Sequence, residues 1–198
     1  GRLIVKGESS YGATPTTSVV VNGNIAKGGS GNPGRAFGGG VHVRGAACTH
    51  RDYSSDTCTY TAAKAIFENA AVSIQSNKAY VSGGGLSVVE GGWVLHNSKM
   101  QVDSNNASDG QGGGVYLSAA SFDVNGSSAE LHITNNMAQA GGGVYGNRYV
   151  GSNVTIGEGV GTCEISSNVG IEFGGGISSL NGVESVSYTH LTLPTKWI

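Results

Sequence analysis

The densest run of reactive side chains is Ala47-Cys48-Thr49-His50-Arg51-Asp52-Tyr53-Ser54-Ser55-Asp56-Thr57-Cys58. It gathers two thiols, an imidazole, a guanidinium, two carboxylates and a phenol. In an oxidising compartment a Cys48–Cys58 disulfide would clasp this run as a loop and contribute about 2–4 kcal/mol. Zinc would need four ligands in closely spaced pairs; two cysteines, one histidine and scattered aspartates lack that spacing, so no metal is expected. Loops that leave a rigid scaffold carry recognition more often than the scaffold does. His50, Arg51, Asp52 and Tyr53 are therefore the first binding candidates, with a merely solvated insertion as the competing reading.

Acid–base chemistry has less to draw on. Cutting a polysaccharide by hydrolysis wants two or three carboxylates converging on one surface, and elimination wants calcium-holding acids beside a base. Here the acids are scattered and no Asp-Asp pair occurs. His132 and Glu164 could form an acid–base pair, but without a third partner they read as neighbouring surface groups. Gly29, Gly31 and Gly34 spell a dinucleotide fingerprint, yet Pro33 stands inside it and no helix pattern follows, so a glycine-rich corner is expected and no cofactor.

The elements that would position these groups are written in a repeated word. Gly38-Gly39-Gly40-Val41 returns as Gly83-Gly84-Gly85-Leu86, Gly112-Gly113-Gly114-Val115, Gly141-Gly142-Gly143-Val144 and Gly174-Gly175-Gly176-Ile177, at steps of 45, 29, 29 and 33 residues. Steps of that size mean stacked units rather than separate domains. A second word, apolar-x-x-Asn-x-small, precedes each triplet and ends at Asn24, Asn77, Asn105, Asn136 and Asn168. Asn69 also fits the word, but its distance to the next triplet does not agree with the others.

Aligned on the asparagine, Val72 and Ile74, Met100 and Val102, Leu131 and Ile133, Cys163 and Ile165 alternate with Ser73, Gln101, His132 and Glu164. That period of two marks a strand with one buried face. A second strand follows each triplet, and Trp93-Val94-Leu95, Phe122-Asp123-Val124 and Val154-Thr155-Ile156 supply a third. Three short strands per unit of about 30 residues describe one coil of a parallel β-helix, stacked about 4.8 Å from the next. Right-handed winding follows from strand twist and the crossover rule. The expected fold is thus an all-β, right-handed single-stranded parallel β-helix of about five coils.

Stacking gives each landmark a role. The asparagines should form a ladder of amides between coils. The glycines that open the triplets, Gly83, Gly112, Gly141 and Gly174, should make a sharp corner at positive φ and let coils approach closely. Cys163 should be a small buried hydrophobe rather than a nucleophile. Tyr116 and Tyr145 should point outward one coil apart, as a platform for a sugar ring or as a plain cross-strand pair. Asn106, Asn125 and Asn153 head Asn-x-Ser/Thr sequons, which accept glycans only in a eukaryotic secretory route.

Composition agrees with a β-solenoid. Glycine supplies 35 of 198 residues, while charged residues are 12%, against about a quarter in ordinary domains. A net charge of −2 offers no pull toward nucleic acid or an acidic membrane. One domain is expected over residues 1–185. Residues 186–198, from Val186-Ser187-Tyr188-Thr189-His190-Leu191-Thr192-Leu193-Pro194-Thr195 to Lys196-Trp197-Ile198, resemble a translated sequencing-adapter end and are set aside from the fold. With neither initiator Met nor secretory signal, the chain reads as a fragment.

The alternation of a glycine-rich apolar word with an x-x-Asn word, over about residues 20–180, resembles the repeats of polymorphic outer membrane proteins and related autotransporter-type adhesins. The resemblance implies a secreted or surface-displayed right-handed β-helix used for adhesion, in the outer membrane if bacterial. It carries over no catalytic residues. The expected function is a non-catalytic adhesin or structural stalk whose partner is a carbohydrate or a host or cell-surface protein, reaching a membrane only through an anchor or translocator outside the fragment. The alternative is a pectin-lyase-like polysaccharide lyase or glycoside hydrolase whose active coils lie outside it.

Overall fold

The computed structural model describes residues 2–6, 17–27, 36–52, 57–61, 63–147, 152–157 and 159–179, with 46–52 and 57–61 described by their backbone. The first coil runs β1 (Arg2–Lys6), β2 (Thr17–Asn22), β3 (Ile25–Ala26) and β4 (Val41–Arg44), followed by an excursion of β5 (Ala46–Asp52) and β6 (Thr57–Thr61). The second is β7 (Ala63–Glu68), β8 (Ala70–Gln75), β9 (Lys78–Ala79) and β10 (Leu86–Val89). The third is β11 (Gly91–His96), β12 (Lys99–Asp103), β13 (Asn106–Gln111) and β14 (Val115–Ser118). The fourth is β15 (Ser121–Asn125), β16 (Glu130–Thr134), β17 (Met137–Ala140) and β18 (Val144–Gly146). The fifth is β19 (Asn153–Ile156), β20 (Thr162–Ser166), β21 (Val169–Phe173) and β22 (Ile177–Ser179).

Like strands stack on like. Four five-stranded sheets result: I (β1-β7-β11-β15-β19), II (β2-β8-β12-β16-β20), III (β3-β9-β13-β17-β21) and IV (β4-β10-β14-β18-β22). Every pairing within them is parallel. From the first strand of a sheet to its fifth, the chain makes about four turns of a parallel β-solenoid. Each coil has four strands where the sequence suggested three, because the short segment after each asparagine itself pairs as sheet III.

Register follows the repeats. Val21, Ile74, Val102, Ile133 and Ile165 are consecutive partners in sheet II, and the last four are at most 4% exposed. Beside them run Val19, Val72, Met100, Leu131 and Cys163. Sheet I adds Phe67, Trp93, Leu95, Phe122 and Val124, and sheet IV adds Leu86, Val88, Val115 and Leu117, all within one core. Each such side chain gains roughly 1.5–3 kcal/mol by leaving water, so the wide part of the cross-section is the source of cohesion.

The other part of the cross-section is thin. A methyl group at Gly114 would lie 2.7 Å from Gly143 O and 3.0 Å from Asn136 Nδ2, so the triplet presses directly on the asparagine of the next coil. The small residue two beyond each asparagine, Ala79, Ala107 or Ala138, is buried on the same inner side. Backbone packs on backbone here, which is why both words demand residues without bulk. The triplet's first glycine turns the corner at φ +69° in Gly83, +66° in Gly112, +63° in Gly141 and +48° in Gly174.

Asparagines close the opposite side of that corner. Asn77, Asn105 and Asn136 are at most 1% exposed. Asn105 Nδ2 donates to Asn136 Oδ1 at 3.0 Å and to Ile74 O at 2.9 Å, while its Oδ1 accepts from Asn77 N and Asn77 Nδ2, both at 3.0 Å. The pattern repeats from Asn24 through Asn168. Asn77, not Asn69, occupies the second rung.

Candidate functional site

Three surfaces bear on function. The first is the excursion between the first and second coils, where β5 and β6 form an antiparallel hairpin pairing His50 with Thr59, Arg51 with Cys58 and Asp52 with Thr57. It accounts for the long first step between triplets. The side chains of Cys48, His50, Arg51, Asp52 and Cys58, the whole of Tyr53, and with them the expected disulfide and binding roles, lie outside the described residues. So do Gly29, Gly31, Gly34 and the segment 186–198.

The second surface is the outer column of sheet IV: His42, Ser87, Tyr116, Tyr145 and Ser178. Tyr116 and Tyr145 stack with centroids 5.9 Å apart and ring planes 2° apart. Of the two readings, a platform for a sugar ring and a plain cross-strand pair, their burial favours the pair, since they are only 6% and 3% exposed. The cause is the corner itself: each column side chain lies back over the bare Cα of the triplet's first glycine, as Tyr145 Cβ does at Gly141. Ala140 packs against the tyrosines, with Phe37 and Val89 at the margin.

Phe37 was not singled out from the sequence, although it directly precedes a triplet. Its ring stacks on His42 and tilts against Tyr116, with centroids 6.0 Å apart in both cases. Those partners are two coils apart, and Ser82 and Ser87 in the coil between are small and buried. Asn147 Nδ2 donates to Tyr116 Oη at 3.0 Å, holding the phenol in place. Burial and the neighbouring charge of Arg44 lower the His42 pKa. The column is a filled seam.

The third surface is the outer wall of sheet II, flat and polar. Lys99 Nζ meets Glu130 Oε1 at 2.7 Å, and His132 Nδ1 meets Glu164 Oε2 at 3.1 Å. Asp103 accepts hydrogen bonds from Thr134, Asn135 and Ser104 at 2.7–2.8 Å. Burial alone would raise the Asp103 pKa, but the three hydrogen bonds outweigh it and lower the value. Hydrogen bonds from Ser166 and His132 lower that of Glu164. Both carboxylates are held as acceptors, opposite to the raised pKa a general acid requires.

The remaining nucleophile candidate is Cys163. Its thiol packs against the core and burial pushes its pKa up to about 11, so at neutral pH it is a protonated, apolar group. Among the described residues, no group of three or more His, Cys, Asp and Glu side chains could hold a metal ion. Compared with protein-family models, curated proteins and solved structures, the chain matches none.

Proposed function

We propose that this chain is part of a β-helical stalk or adhesin, secreted or displayed at a cell surface, which presents its walls and hairpin to a carbohydrate or a cell-surface protein without catalysing a reaction. The observation that carries this reading is the sheet II wall. Its ionisable groups are matched along the solenoid axis, Lys99 with Glu130 and His132 with Glu164, instead of converging on a point where a bond could break. A wall of hydroxyls, amides and paired charges suits a weak, repeated contact along an extended partner. Attachment to a membrane would come through an anchor or translocator beyond this segment.

The test pairs a glycan array and binding to intact cells with a reducing-sugar release assay. Binding without release is expected, with at least a tenfold loss in either the wall variant Gln101→Ala/His132→Ala or the hairpin variant His50→Ala/Arg51→Ala. Sugar release by the purified chain would overturn the reading in favour of a polysaccharide lyase or hydrolase. Loss in neither variant would remove both surfaces from consideration.

A further inference from the structure

The outer column of sheet IV runs His42, Ser87, Tyr116 from the first coil to the third, and a serine between two rings leaves a gap. His42 and Tyr116 lie two coil spacings apart, about 9.6 Å. Phe37 fills the gap: its centroid is 6.0 Å from each ring, at 21° to the imidazole and 41° to the phenol, which sets it level with Ser87. The two serines beneath it are buried, but their hydroxyls differ. Ser82 Oγ donates to Val81 O at 2.6 Å, whereas Ser87 is 0% exposed and its Oγ has no hydrogen-bond partner among the described residues. A buried hydroxyl without a partner costs stability that an alanine in its place would not.

The walls of the gap and the ring that fills it are held differently. His42 and Tyr116 sit on β4 and β14, each paired along its length within sheet IV, and Asn147 fixes the phenol. Phe37 lies outside any named strand, joined to Ser82 by a single bridge, and it is only partly buried. Rotation about its side-chain bonds vacates the gap without breaking a sheet hydrogen bond.

We infer, on the carbohydrate reading of the partner given above, that this gap is a slot for one pyranose ring, with Phe37 as its plug, His42 and Tyr116 as its walls and Ser87 Oγ as its polar anchor. A few well-placed polar groups among apolar walls are what such a site needs. A pyranose can take the place of a phenyl ring between two others, lay its C–H face on Tyr116 and bring edge hydroxyls to Ser87 Oγ. A phenyl group from a protein partner would restore the stack and leave Ser87 unpartnered, so the hydroxyl selects the sugar. The slot takes a ring only after Phe37 leaves. The closed fraction therefore weakens the parent's apparent affinity, and removing the plug restores it.

Saturation-transfer NMR and titration calorimetry on the full 198-residue chain test this. The probes are methyl β-glucopyranoside, methyl β-galactopyranoside and methyl N-acetyl-β-glucosaminide, with p-cresol as the aromatic comparison. Phe37→Ala is expected to bind at least one glycoside saturably and at least tenfold more tightly than the parent. Adding Ser87→Ala should lower that affinity at least tenfold, while Ser87→Ala alone leaves the thermal midpoint at or above the parent's, which a hydroxyl that merely holds the fold would not do. Far-UV circular dichroism confirms that the variants keep their strands; Phe37→Leu, which shortens the plug and keeps an apolar cover, replaces Phe37→Ala if that variant loses them. No glycoside bound by the folded plug variant, binding indifferent to Ser87→Ala, or p-cresol bound ahead of every glycoside would each overturn the slot. Its failure is distinct from that of the adhesin reading. Array binding that needs Gln101 and His132 but ignores Phe37 and Ser87 removes the slot alone, whereas glycosides held by Phe37→Ala with no binding to array or cells remove the adhesin and keep the slot.

Discussion

Asn105 spends every hydrogen-bonding position of its amide on neighbouring coils. Replacing it with Ala would strand Asn77 N–H and Nδ2–H and the Ile74 carbonyl in a buried site, each orphan costing about 1–3 kcal/mol. Asn105→Ala is expected to destabilise the chain by about 3 kcal/mol or more in urea unfolding. Asn24→Ala at the open end of the ladder should cost about 1 kcal/mol or less. Equal losses would mean that the ladder is a decoration of the corner and not its lock. A second expectation concerns acid. Glu164 and Asp103 have folded-state pKa values below their ordinary 4.5 and 3.8, so their contribution is complete above those ordinary values and is lost as pH falls through the lower folded ones. Both groups face water, and screening keeps each contribution within about 1 kcal/mol. Unfolding midpoints should fall on acidification below about pH 4.5, and Glu164→Gln should flatten that slope. A slope unchanged by Glu164→Gln would detach the effect from this pair.

Corners set the shape of each coil, and several are turned by residues other than glycine: Glu90, Asn97, Ser104 and Ala119 have φ between +47° and +55°. Left-handed backbone costs an L-residue about 1–2 kcal/mol, while glycine adds about 0.5–1 kcal/mol of chain entropy. Ala119→Gly is therefore expected to raise stability by up to about 1 kcal/mol. At the thin corner the sign reverses: Gly114→Ala puts a methyl 2.7 Å from Gly143 O, an overpacking that costs about 1–3 kcal/mol. Measuring both variants by chemical denaturation checks the pair, and a stabilised Gly114→Ala would show that the triplet is not in tight contact. The same corners explain what could be read in advance. Strand columns such as Ile74–Val102–Ile133–Ile165 were legible because burial on one face forces a period of two and stacking forces a common register. Sheet III was missed because its strands β3 and β9 are only two residues long and bury alanine where a reader looks for larger apolar groups. The burial of Tyr116 and Tyr145 was not legible because alternation tells which side of a sheet a side chain leaves from, not whether a glycine corner beyond it provides a bed.

At the scale of the whole solenoid, each coil is held by its two neighbours, so stability should be graded along the axis and lowest where a neighbour is missing. Burial shows the gradient: Leu117 in the third coil is 0% exposed, whereas Ile177 in the fifth is only partly buried against the same core. Truncating a fully buried leucine costs about 2–5 kcal/mol, so Leu117→Ala should lose several times what Ile177→Ala loses. Amide hydrogen exchange would trace the same profile without mutation, with the third and fourth coils slowest and the first and fifth fastest. A flat profile would mean that the coils open together and that nearest-neighbour stacking does not govern their stability.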